Sequence, residues 1–367
     1  MKIAITGSNG FIAKNLIYRL ITDPKIYIFR INRKTSKKYI DQVLDQSDIV
    51  FHFAGANREN KKQNFQNDNV KFTRYICDYL SKKNIKKKIV FSSSVQATLN
   101  NKYGKSKRKC EDILKNFAKK HKSGLVILRL PNIFGKWSRP NYNSAVSTFC
   151  YNISRGNRNK LINPKKILSL LYIDDLVDNL FKLIKDINNK IKIISDFKKI
   201  KKISVQNLFD KITSFEQKRN LFYIDEFKNN FTKNLYSTYV YFLPKNKIKY
   251  NLINHKDKRG SFVEFLKTNL NGQFSIFKAK NNQIRGYHFH HSKVEKFLVV
   301  SGKAKFHMKD ISSNKKLEYK LDHKIPTVIE TIPGWQHYIK NIGKNELIVL
   351  LWSNEVYNVK KPDTYQI

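Results

Sequence analysis

Three histidines and one carboxylate are spaced in this chain as a metal site would need: His288, His290, Glu295 and His337. The first three lie in GYHFHHSKVE, residues 286–295. On an extended strand, His288 and His290 would point to one face. Glu295 can return on the next strand after a short turn, Gly302 permits the following reversal, and His337 comes just after Pro333-Gly334. Any one of these histidines alone would read as an ordinary surface or core residue. Together, three imidazoles and a carboxylate suit zinc or another divalent transition metal.

A second chemistry is carried by KYGKSK, where Tyr103 and Lys107 sit four residues apart and so share one helix face. A phenol has a reference pKa of about 10 and is a poor proton donor near neutrality without help. A lysine ammonium one turn away would lower it, and a serine hydroxyl could hold a substrate oxygen. A third signal is the opening MKIAITGSNGF. Gly7 permits a tight turn, Gly10 lets backbone approach a pyrophosphate, and the helix that follows offers oriented N–H groups. Asn9 in the turn and Phe11 and Ile12 at the helix start complete that candidate cofactor set, with Ala13 where a third glycine often stands.

These residues need elements to hold them. KIAIT reads as a buried strand and FIAKNLIYRLIT as a helix. The next strand, IYIFRIN, ends without the acidic residue that would grip a ribose 2′-hydroxyl. Arg30 and Arg33 stand there instead, favouring a 2′-phosphate and hence NADPH, the other reading being two surface arginines in a basic chain. SDIVFHFAGANR gives a strand ending in Ala54-Gly55, small enough to pack under a cofactor, and KKIVFSSSVQA gives one ending in serines. Alternating strand, turn and helix predict a doubly wound parallel α/β sheet of Rossmann type over residues 1–245. From about residue 246 to 367 the pattern changes to short alternating segments with turn signals, predicting an all-β domain.

Composition narrows the classes. With 41% hydrophobic and 13% aromatic residues, the 367-residue chain can bury sizeable cores, and its length suggests two or three domains. No apolar run of about 18 residues occurs, so no membrane span is expected. Residues 2–6 read as a strand and not as a signal segment; with Cys77, Cys110 and Cys150 far apart, a reduced cytoplasmic setting is expected. The formal charge of +44 would by itself suggest nucleic acid. Its lysines, however, are spread along the whole chain, so no nucleic-acid partner is expected, and an anionic substrate is favoured.

Glycine turn, serine-ended strand and YxxxK together resemble an extended short-chain dehydrogenase/reductase. The resemblance implies that Tyr103 is the acid, Lys107 its activator and a cofactor-ribose ligand, and Ser94 the assisting serine, with Ser92 and Ser93 as the alternatives. In LVILRLPNIFGKW, Asn132 resembles the family's sugar-nucleotide contact, and LLYIDDLVDNL resembles its element at a helix start, where Asp174 is expected to cap the helix. PNYNSAVSTFCYNI and NLYSTYVYFLP are expected to line a substrate cleft, with Asn141, Asn143 and Arg155 as candidate contacts.

HxH-x4-E-x6-G followed by P-G-x2-H-x3-N resembles the two motifs of a cupin, a jelly-roll barrel, although the second departs from the usual P-x-G. His291 and Lys296 are expected to point away from the metal, and His291, His307 and Tyr287 are candidate bases. With DKRGSFVEF and VEKFLVVSGK added, nearly the whole chain resembles the bifunctional capsular-polysaccharide precursor enzymes. That implies a UDP-linked 4-keto-6-deoxy amino sugar, epimerised at C3 by the cupin and reduced at C4 with NADPH, in a homodimer. The competing expectation is a nucleotide-sugar dehydratase or 4-epimerase whose cupin only dimerises.

Overall fold

The computed structural model describes residues 1–58, 65–220, 227, 229–251, 254–257, 260–263, 272–355 and 360–366. The chain divides into two compact units: Met1–Ser144 with Leu168–Lys202, and Ala145–Ile167 with Ile203–Ile367. The division at 245/246 expected from sequence style falls inside the second of these.

The first unit is built on six strands: β1 (Lys2–Thr6), β2 (Tyr27–Ile31), β3 (Ile49–His52), β4 (Lys88–Ser94), β5 (Leu125–Leu130) and, after the short β6 (Asn132–Phe134) and β7 (Ile167–Tyr172), β8 (Ile191–Ile194). The six run parallel in the order β2-β1-β3-β4-β5-β8. Strands β3 and β4 are buried almost end to end, as expected of a parallel sheet with helices on both faces. The helices are α1 (Phe11–Leu20), α2 (Lys37–Gln46), α3 (Phe72–Lys82), α4 (Lys102–His121) and, following α5 (Ala145–Ile153) of the second unit, α6 (Ile173–Asp186). From β1 the chain steps outward to β2 on one side and to β3 on the other. That reversal opens a crevice at the carboxyl ends of β1 and β3, where such sheets bind ligands.

Strand β9 (Lys201–Ser204), at the boundary of the two units, leads into α7 (Val205–Asn220) of the second, followed by α8 (Asn230–Tyr241) and the short α9 (Lys245–Ile248). Strands follow: β10 (Lys249–Asn251), β11 (Asn254–Asp257), β12 (Gly260–Val263), β13 (Gln273–Ala279), β14 (Ile284–His288), β15 (Glu295–Ser301), β16 (Lys303–Asp310), β17 (Lys316–Asp322), β18 (Thr327–Glu330), β19 (Trp335–Asn341) and β20 (Leu347–Ser353). The strand expected over SFVEFLKT extends past Val263, outside the described residues, as does the end of DKRGSFVEF. Two antiparallel sheets, β10-β18-β15-β20-β13 and β14-β19-β16-β17, form the body of the jelly-roll. Alternation sorts the inner face: on β19, Trp335, His337, Ile339 and Asn341 are buried and the residues between them are not.

The segment NLYSTYVYFLP forms α8, which is not an open cleft wall: Tyr236, Ser237, Thr238 and Tyr239 are buried. Ser237 donates to the Ser292 carbonyl at 2.5 Å, and Tyr239 donates to Glu216. Beside them Lys296 of β15, Glu330 of β18 and Arg219 of α7 form a buried ionic trio, with Glu330 accepting from both cations. Burial works against the Lys296 ammonium, but Glu330 outweighs it and holds the proton more firmly than in water.

Candidate functional site

At the end of β1 the chain turns through Gly7 at φ +65. A Cβ there would stand 2.8 Å from the Ala54 backbone, so glycine is required both by conformation and by the approach of β1 to β3. Gly10 caps α1 with extended backbone and no side-chain partner, leaving the first N–H groups of the helix to a ligand. Thr6 Oγ1 accepts from the Ala54 amide at 3.1 Å and hydrogen-bonds His52 Nδ1 at 2.8 Å, which pins the floor of the crevice. Burial, then Lys107, pushes His52 down to about 3, so it is neutral.

Tyr103 and Lys107 lie on α4 as expected. The helix is capped by Asn101, whose side chain accepts from the Gly104 amide at 2.8 Å. A Cβ on Gly104 would come 2.1 Å from the Gln96 carbonyl, so the first turn of α4 is pressed against the turn Val95–Thr98 that follows β4. The three serines separate by partner. Ser92 reaches the His52 carbonyl at 3.4 Å and Ser93 donates to Glu111 at 2.6 Å, while Ser94 Oγ accepts from the Gln96 amide at 3.2 Å and acts on the Tyr103 phenol. Lys107 Nζ donates to the Ser92 carbonyl at 2.8 Å, beside Gly55, and lies 6.0 Å from the Tyr103 ring centroid.

The electrostatics correct one expectation. Burial pushes the Tyr103 phenol up to about 12, with Ser94 only partly offsetting it. Lys107 is itself pushed down to about 8 by burial, so it is still cationic at neutral pH, and burial of the phenol prevails. The result is a protonated phenol at neutral pH, which is the form that can donate to a reduced carbonyl oxygen.

Sequence reasoning missed the residues that hold this trio. Asn69, in a π-helical turn (Gln66–Lys71), accepts from the Ala56 amide at 2.7 Å and donates to Ser106 Oγ at 3.1 Å, tying the Ala54–Gly55 floor to α4. Glu111 is fully buried behind β4. Burial pushes its pKa up, but Arg129 and Ser93 more than compensate and keep it ionised. A buried glutamate four residues beyond Lys107 was the available signal. Tyr142 was missed as well; it acts on the Tyr103 phenol, and its neighbours Asn141 and Asn143 are exposed.

The remaining candidates lie as follows. Asn132 is exposed on β6 and reaches the Ser169 carbonyl at 3.4 Å. Arg33 is exposed and paired with Asp68 at 2.9 Å, and Arg30 is exposed on β2. Asp174 does not cap α6, whose N-cap is Tyr172; its carboxylate receives the buried Lys136 ammonium at 2.7 Å. Within the second unit, Arg155 is engaged by backbone carbonyls, donating to Phe242 O at 2.7 Å, and is not free for a substrate.

In the barrel, His288, His290, Glu295 and His337 converge, with one ligand atom from each lying within 4.8 Å of all the others. Both sheets contribute. His288 ends β14 opposite His337 of β19, and Glu295 begins β15 of the other sheet. A bulge between Gly286 and His288, with Tyr287 at φ +69, turns His288 inward. His290 lies just beyond the strand.

His290 Nδ1 is 2.5 Å from the Asp363 carbonyl and His337 Nδ1 is 3.4 Å from the Trp335 carbonyl. A carbonyl only accepts, so each Nδ1 carries a hydrogen, which in the neutral imidazole leaves Nε2 as the ligating atom. Both Nε2 atoms lie 3.2 Å from the same Glu295 Oε2. With the imidazoles neutral, their Nε2 lone pairs would repel that carboxylate oxygen, and a cation among them would relieve this, so the donor set fits a divalent metal. Burial, then His337 and His290, pushes His288 down to about 3, the neutral ligating form.

His291 and Lys296 face away as expected, His291 against Phe289 and Tyr365 and Lys296 into the ionic trio. His307 stacks on Tyr338 at 4.5 Å and pairs with Glu318, and Tyr287 stacks on Tyr338 from the other side, so these two candidate bases share the outer face of that sheet.

A glycine-turn crevice with a Ser–Tyr–Lys trio defines the class of Rossmann-fold short-chain dehydrogenase/reductases. Consistent with this, residues 3–194 match the NAD dependent epimerase/dehydratase family, and residues 255–365 match the polysaccharide biosynthesis C-terminal domain. The chain is 38% identical over 366 residues to a UDP-2-acetamido-2,6-beta-L-arabino-hexul-4-ose reductase of Pseudomonas aeruginosa, covering 100% of this chain and 98% of that one. It is similar in structure to the capsular polysaccharide assembling protein CapF of Staphylococcus aureus, with TM-score 0.67, 35% identity and full coverage of both chains. A UDP-glucuronic acid 4-epimerase of Bacillus cereus, at 17% identity and TM-score 0.53, is similar in fold over 59% of this chain and 83% of that one. The chain belongs to the CapF family, in which a dehydrogenase-type nucleotide domain is joined to a cupin-like polysaccharide-biosynthesis domain.

Proposed function

We propose that this protein acts twice on one sugar ketone. The barrel epimerises C3 of a UDP-2-acetamido-2,6-dideoxy-4-ketohexose, and the Rossmann-type unit then reduces the C4 ketone with NADPH. The product is UDP-2-acetamido-2,6-dideoxy-L-talose, which a separate epimerase carries on to UDP-N-acetyl-L-fucosamine for capsule or O-antigen polysaccharide. The reading includes a cytoplasmic homodimer and zinc as the metal. One observation carries it: a protonated Tyr103, on one helix with Lys107, and a metal-competent His288–His290–Glu295–His337 set occur in one chain. The full-length similarity to the Pseudomonas keto-sugar reductase supports the substrate class.

The chemistry explains the pairing. A proton on C3 is acidic only while C4 is a ketone, because the enolate left behind spreads its charge onto oxygen. When bound, a divalent cation would draw that charge as a Lewis acid, and NADPH would supply hydride to C4. In the barrel, His288, His290, Glu295 and His337 would hold the cation. In the first unit, Gly7 and Gly10 open the backbone to the cofactor pyrophosphate, and Lys107 would grip its ribose. Ser94 orients the ketone oxygen and Tyr103 gives up its phenolic proton as the alkoxide forms. Epimerisation alone would leave a mixture; removing the ketone traps the new configuration.

Mixing the protein with NADPH and the UDP-4-keto sugar in D2O tests this in one spectrum. Deuterium at C3 and reduction at C4 are both expected. Reduction without label leaves the barrel no catalytic part, and turnover without net NADPH consumption would favour a dehydratase or 4-epimerase.

A further inference from the structure

We infer that residues 360–366, through Asp363, are the positioning element of the metal centre, and that metal binding and docking of this segment are thermodynamically coupled. The inference rests on the metal reading above. Among the proposed ligands, His290 stands in the connection between β14 and β15, residues 289–294, which belongs to no ladder beyond the Phe289–Tyr365 bridge. Buried amides outside a ladder need another acceptor. Here Asp363 supplies it. Its Oδ1 accepts from the His291 amide at 2.8 Å, and its Oδ2 accepts from the Ser292 amide at 2.7 Å, the Lys293 amide at 2.8 Å and Ser292 Oγ at 2.9 Å. Three successive N–H groups curl around one carboxylate, as in a backbone anion nest.

The same residue reaches the ligand itself. Its carbonyl takes the His290 Nδ1 hydrogen, fixing the tautomer and turning Nε2 towards Glu295. Flanking contacts hold the segment in register. Phe289 and Tyr365 exchange backbone hydrogen bonds at 2.9 and 3.0 Å, Lys293 Nζ donates to Thr364 Oγ1 at 3.0 Å, and the Tyr365 ring lies 4.9 Å from His291. On the other side, the Gly334 amide donates to the His290 carbonyl at 2.8 Å. His290 is thus held between the turn before β19 and this late segment. A ligand that binds only the docked arrangement must in turn stabilise docking by an equal free energy.

The test uses the full-length protein and Zn²⁺ alone, with affinity measured by competition against a chromophoric chelator. Asp363→Ala is expected to weaken Zn²⁺ on the order of 10–100-fold. Asp363→Asn, which keeps one accepting oxygen, is expected to fall between it and wild type. In the wild-type protein, Zn²⁺ is expected to slow amide hydrogen exchange in residues 360–366, a readout that needs no variant. Wild-type affinity in Asp363→Ala, or exchange in 360–366 indifferent to Zn²⁺, overturns the inference and leaves the metal reading standing. No Zn²⁺ binding by the wild-type chain overturns both.

Discussion

Replacing Tyr103 by phenylalanine isolates one oxygen. The ring keeps its packing against Phe65, whose centroid is 5.5 Å away, and Ser94 Oγ keeps the Gln96 amide at 3.2 Å. The structural loss is therefore at most one hydrogen bond, worth about 0.5–1.5 kcal/mol. The catalytic loss is larger. A positioned general acid contributes roughly 10²–10⁴-fold, or about 3–5 kcal/mol of transition-state stabilisation at 1.36 kcal/mol per tenfold. NADPH absorbance followed with the UDP-4-keto sugar should therefore show reduction slowed by that factor. Deuterium uptake at C3, followed by NMR in D2O, should continue, because no candidate metal ligand has changed. Tyr103→Phe reducing the ketone within tenfold of wild type would refute the assignment of Tyr103 as proton donor. Loss of both signals together with a lowered melting temperature would show that the substitution acts on the fold.

Lys107 is cationic below about 8 and neutral above, because burial lowers its pKa. The kcat/KM for NADPH is thus expected to fall as pH rises through that value, and Lys107→Arg should move the fall to higher pH; a profile flat from pH 6 to 10 would remove the ammonium from cofactor binding. Arg33→Ala should weaken NADPH by roughly 10–100-fold and NADH little, since charge-assisted hydrogen bonds contribute about 1.5–3 kcal/mol; equal losses would show no 2′-phosphate contact. Glu295→Ala and His290→Ala should each lower bound metal in elemental analysis of the purified protein, and unchanged content would exclude them as ligands.

The parts legible in the sequence are those whose chemistry is local. Gly7 and Gly10 announce a phosphate turn because a turn's conformational demands fall on neighbouring residues. Tyr103 and Lys107 announce a helix face because one turn of helix joins them. The histidines were readable as a group, with proline-glycine ahead of His337, but not by strand alternation: a bulge turns His288 inward and His290 lies past the end of β14. What could not be read is held together across distance. Asn69 meets Ala56 and Ser106 only because the π-helical turn ahead of α3 packs against α4. Asp174 looked like a cap from its place at a helix start, yet its charge answers Lys136, a residue 38 positions earlier. The amide- and hydroxyl-rich Asn230–Tyr241 helix suggested a wet cleft, but its polar groups bond within the second unit. The Tyr103 phenol was expected to acidify next to a cation, and burial, which spacing does not reveal, reversed the sign.

Glu295 and Lys296 are neighbours with opposite duties, one turned to the imidazoles and the other to Glu330. Sliding β15 by a single position would exchange them. An ammonium would then stand among three nitrogen lone pairs, and a carboxylate would confront Glu330 in a dry interior. Both errors are electrostatically forbidden at once, so the phase of this strand is written in the sign of two adjacent charges, and a conservative-looking swap of the pair should cost the barrel its assembly before it costs a metal ion.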